Sequence, residues 1–102
     1  MNSLILDREV FRRDLKTVFR ICQHSGFGPV TLNFLAPNLH VQMNEMDIVI
    51  PATGEWEGPI IVAGRKFFTA VNKLPDVPVF RIYTTARSVF IGKTPILFKA
   101  SA

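Results

Sequence analysis

The chain has 102 residues, 48% of them hydrophobic, with 12 basic and 8 acidic side chains, two histidines and one cysteine. That length suits one domain, residues 1–102, with one core, and a single cysteine excludes an internal disulfide framework and any thiolate-rich zinc site. The formal charge of +4 is a mild excess; the apolar fraction and a mean hydropathy of +0.25 suggest a partner or self-association, though no apolar run approaches the roughly 18 residues of a membrane span.

Met1-Asn2-Ser3 and the short apolar run after it lack the charged start and long apolar core of a signal peptide, so a cytoplasmic location is expected. Leu4, Ile5 and Leu6 suffice for a short strand. Asp7 can cap a helix whose apolar residues Phe11, Leu15, Val18, Phe19 and Cys22 recur at three- and four-residue spacing, with Gly26 and Gly28 as the stop. Cys22 on that seam reads as a small buried hydrophobe, since a nucleophile needs a placed histidine and an electropositive opening.

Val30, Leu32 and Phe34 then alternate with Thr31 and Asn33, Ala36-Pro37-Asn38 turns the chain, and Leu39, Val41 and Met43 alternate with His40, Gln42 and Asn44. That pattern predicts a hairpin with one wet face. A strand over 46–52, a turn at Gly54 and an extended stretch over 56–62 follow. The second helix is predicted over 64–74, with Phe67, Phe68, Ala70, Val71 and Leu74 on its apolar side and Pro75 ending it. Three short strands, over 79–84, 88–91 and 95–99, complete the chain.

The expected fold is therefore α+β, with two helices packed on one face of an antiparallel sheet of about eight short strands. The two halves share a strand-helix-strands order, which suggests a loose internal duplication of architecture. Residues 7–23 hold five basic and three acidic side chains, and residues 64–75 three basic and none acidic; the remainder holds four basic and five acidic, so the excess lies on the helices. Arg8, Arg12, Lys16 and Arg20 step by four, an advance of about 40° per step. With Arg13 they form a stripe beside the apolar seam. Arg65, Lys66 and Lys73 belong to the second helix. Two such helices side by side offer a surface suited to phosphates, favouring backbone contact over base readout; a merely solvated face is the plainer alternative.

Leu4-Ile5-Leu6-Asp7-Arg8-Glu9-Val10-Phe11 resembles the first strand and helix start of a bacterial DNA sliding clamp domain. Ile60-Ile61-Val62-Ala63-Gly64-Arg65-Lys66-Phe67-Phe68, leading to Asn72-Lys73-Leu74-Pro75-Asp76, is similar to the strand, second helix and closing Leu-Pro-Asp of such a domain. The resemblance implies a ring of six domains whose helices surround duplex DNA and hold a replication enzyme on its template. It places Arg8, Arg12, Arg13, Lys16, Arg20, Arg65, Lys66 and Lys73 at the DNA backbone. Familiar clamps join two or three domains per chain, so this chain would assemble as a homo-oligomer of about six copies through a closing head-to-tail interface. Exposed strand edges, including Ile96, Leu97 and Phe98, could pair between copies. The alternative is a monomeric or dimeric clamp-fold module that binds or modulates a replication or repair protein.

No catalytic chemistry is expected, and no cofactor. His24 and His40 have no metal-ligand spacing with another ligand-type residue. Glu55 and Glu57 flank Trp56 at strand spacing, a pattern that a loop edge around one anchored indole also gives. Gly92-Lys93-Thr94 echoes the end of a phosphate loop without its upstream glycine or following helix.

Overall fold

The computed structural model describes residues 2–25, 28–43 and 45–98, with the side chains of residues 22–25 outside the description. The stop at Gly26, the roles expected of Cys22 and His24, and Lys99 therefore fall outside the described residues. The elements run β1 (Ser3–Asp7), α1 (Arg8–Ser25), β2 (Pro29–Leu35), β3 (Asn38–Met43), β4 (Met46–Glu55), β5 (Ile60–Ala63), α2 (Gly64–Asn72), β6 (Val79–Thr84), β7 (Ser88–Ile91) and β8 (Thr94–Leu97).

All strand pairs are antiparallel, in the order β5-β2-β3-β4-β1-β6-β7-β8. The sheet curls until its two ends meet at an antiparallel bridge between Val62 and Phe98, which makes it nearly a barrel. Exchanging β1 with β5, β2 with β6, β3 with β7 and β4 with β8 returns the same circular order. The duplication of element order is thus also a duplication of strand pairing.

Alternation decides which residues face inward. In register, Leu4 lies opposite Ile82 and Leu6 opposite Phe80, Leu32 opposite Val41, and Val89 opposite Ile96, and all of these are buried. The helices add Phe11, Leu15 and Val18 from α1 and Phe67, Phe68, Ala70 and Val71 from α2 to the same core. Five rings run through it edge to face: Phe11 meets Phe80 at 4.9 Å and Phe67 at 6.3 Å between centroids, Phe67 meets Phe68 at 5.5 Å, and Phe68 meets Phe19 at 5.1 Å. Such pairs contribute about 1 kcal/mol each beyond their buried area. The buried indole of Trp56 donates from Nε1 to the carbonyl of Leu32 at 3.3 Å, so it anchors the joint between the halves.

Three expectations are corrected. Gly54 marks no turn: β4 runs through it to Glu55, and its φ of +135° lies beside β1, where an added Cβ would stand 2.1 Å from the carbonyl oxygen of Ser3. A side chain there would collide with backbone, so glycine serves close strand approach. The extended stretch over 56–62 shrinks to β5, because Gly58 adopts a φ of +65° just before Pro59. Finally, α2 stops at Asn72, and the amides of Lys73 and Leu74 bond three residues back, to Ala70 and Val71, in a tightened last turn before Pro75.

The strand-edge expectation changes too. Ile96 is 2% exposed and belongs to the core, whereas Leu97 is 63% exposed on the outer face. Phe98 meets Val62 of the same chain.

Candidate nucleic-acid interface

Helix α1 is placed by its cap and its seam. The amide of Val10 donates to Oδ1 of Asp7 at 3.0 Å, satisfying one of the free first-turn donors. From there Phe11, Leu15 and Val18 hold the helix against the sheet, and the side chains between them point outward. Arg12, Arg13, Lys16 and Arg20 are all exposed. Arg13 also donates from Nε to Asp14 Oδ1 at 3.3 Å, a surface contact of little energetic weight.

Arg8 stands apart from that stripe. Its side chain is only 14% exposed, its guanidinium reaches Asp76 Oδ1 at 3.6 Å, and its backbone amide donates to the carbonyl of Pro78 at 3.1 Å. The cause lies in the 40° drift per four-residue step. Over Arg8, Arg12, Lys16 and Arg20 the stripe rotates by about 120°, so Arg8 lies at the edge of the apolar seam while Arg20 is well clear of it.

Helix α2 presents Arg65, Lys66 and Lys73, all exposed. The seven-residue step from Lys66 to Lys73 puts both on one side of the helix. Lys73 is the residue after the last helical turn, with φ of −97° and ψ of 7°. No acidic side chain lies within α2, and Ala63, its first capping position, supplies no side-chain cap.

Between the helices runs a groove of about 430 Å³. Leu15 and Phe19 from α1 and Phe68 and Val71 from α2 form its floor. Arg12, Arg13, Lys16 and Arg20 form one wall, and Asn72 the opposite lip. The structure therefore brings four of the eight expected DNA-contact residues together, keeps Arg8 beside Asp76, and leaves the three cations of α2 outside the groove. Phe19 and Asn72 were not among the residues the sequence singled out for binding. Phe19 lies one position before Arg20 and three after Lys16, and that closeness of ring to cations was the available signal.

Outside the helices, His40 Nδ1 lies 3.0 and 3.1 Å from the two carboxylate oxygens of Asp47, across β3 and β4. Arg81 donates from Nη2 to Ser3 Oγ at 2.9 Å and sits 5.0 Å from the ring centroid of Tyr83, which stacks on Phe90. The His40–Asp47, Arg81–Ser3 and Tyr83–Phe90 contacts are cross-strand surface pairs, whereas Arg81 and Tyr83 are i, i+2 neighbours on one face of β6. Among the described residues there is no group of three or more His, Cys, Asp or Glu placed to hold a metal ion, and no helix long and apolar enough to cross a membrane.

No family model, curated protein or solved structure matches this chain.

Proposed function

We propose that this chain is a clamp-like tether that meets duplex DNA through its backbone phosphates, with several copies placing α1 and α2 against the duplex. The observation that carries this reading is the exposed cationic surface of the two helices: Arg12, Arg13, Lys16 and Arg20 on α1, and Arg65, Lys66 and Lys73 on α2. Arg8 is left out, because its side chain is only 14% exposed. A smooth helical surface with cations and no base-reading loop suits contact that is independent of sequence. The duplicated strand-helix-strands order supports the resemblance to a sliding clamp domain, and a head-to-tail ring of about six copies is the assembly it implies.

Light scattering over a concentration series, with and without duplex DNA at low salt, tests the proposal. A discrete hexamer-sized species, alone or on DNA, is expected. So is a log–log fall of affinity with salt whose slope is close to the number of phosphates neutralised. Combining Arg12→Glu, Lys16→Glu and Lys73→Glu should abolish association with duplex. A monomer indifferent to DNA at low salt would overturn the tether.

A further inference from the structure

We draw no further inference here: the strongest candidate, the exposed apolar patch of Ile5, Pro51 and Val79 on the outer face of β1, β4 and β6, carries nothing, because nothing in the structure shows what covers it.

Discussion

Residues 3–55 and residues 60–98 repeat one pattern of strands and helix, yet they close it differently. In the first half β1 lies along β4 from Ser3 opposite Glu55 to Leu6 opposite Ala52, and β4 is ten residues long. Among the described residues, the matching contact in the second half, between β5 and the end of β8, is one bridge, Val62 with Phe98, and β8 has four residues. The helices differ in the same direction: α1 has 18 residues and a side-chain cap at Asp7, α2 has nine and none. Closure of the second half therefore depends on the first, since β5 pairs with β2 and β6 with β1. The same order of elements need not carry the same stability, because stability lies in the length of each seam and in what caps each helix.

The largest effect is expected where the halves are joined. Phe11 of α1 touches Phe67 of α2 and Phe80 of β6 and is fully buried, so Phe11→Ala should cost about 3–5 kcal/mol. Denaturant unfolding measures this, and a loss under about 1 kcal/mol would mean that the two halves do not share one core. Gly54→Ala attacks the broad seam of the first half. With backbone in the way and a positive φ, it should cost roughly 3 kcal/mol, against about 1 kcal/mol for Gly58→Ala, where φ is +65° but no atom lies within 4 Å of the added carbon. Equal melting temperatures for the two variants would remove the close-approach explanation.

The narrow seam should be the first to open. Amides of β5 and β8 are expected to exchange with solvent faster than those of β1 and β4, and Phe98→Ala, at a residue 36% exposed, should cost no more than about 1.5 kcal/mol. Hydrogen exchange with strand-level resolution checks the order. The smallest effects concern the caps: Asp7→Ala should destabilise by about 1 kcal/mol, while Ala63→Ser, at a capping position whose backbone is already extended, should stabilise by up to about the same amount. Thermal melts resolve both, since about 1 kcal/mol moves the midpoint of a domain this size by roughly 4–8 °C.

Much of the fold was legible in the sequence because its signals are local. Asp7 before a three- and four-residue repeat, strict alternation on either side of Ala36-Pro37-Asn38, and Pro75 after an apolar helical run place the elements without reference to anything distant. What was not legible depends on contacts far apart in the chain. A glycine in an extended stretch reads as a turn, and only the carbonyl of Ser3, some fifty residues away, shows why Gly54 belongs inside β4. The meeting of Val62 and Phe98 follows from accumulated sheet twist, to which no single residue points. On the candidate surface, charge asymmetry picked out α1 and α2, but the step of four made Arg8 look like its neighbours. The groove itself required the two helices to be set beside one another, and that brings Phe19, Phe68 and Asn72 to one place.

Because three antiparallel pairings separate β1 from β8, the start of β1 and the end of β8 fall on one rim. The carbonyl of Asn2 accepts from the amide of Thr84, and the amide of Phe98 donates to the carbonyl of Arg87, just before β7. Three strand spacings separate β1 from β8, about 14 Å along the sheet, a gap that a linker of roughly six residues can span. Circular permutation is thus built into the geometry: a chain opened at Gly58, with residue 98 joined to residue 2, would synthesise the α2 half first and retain every strand pair described.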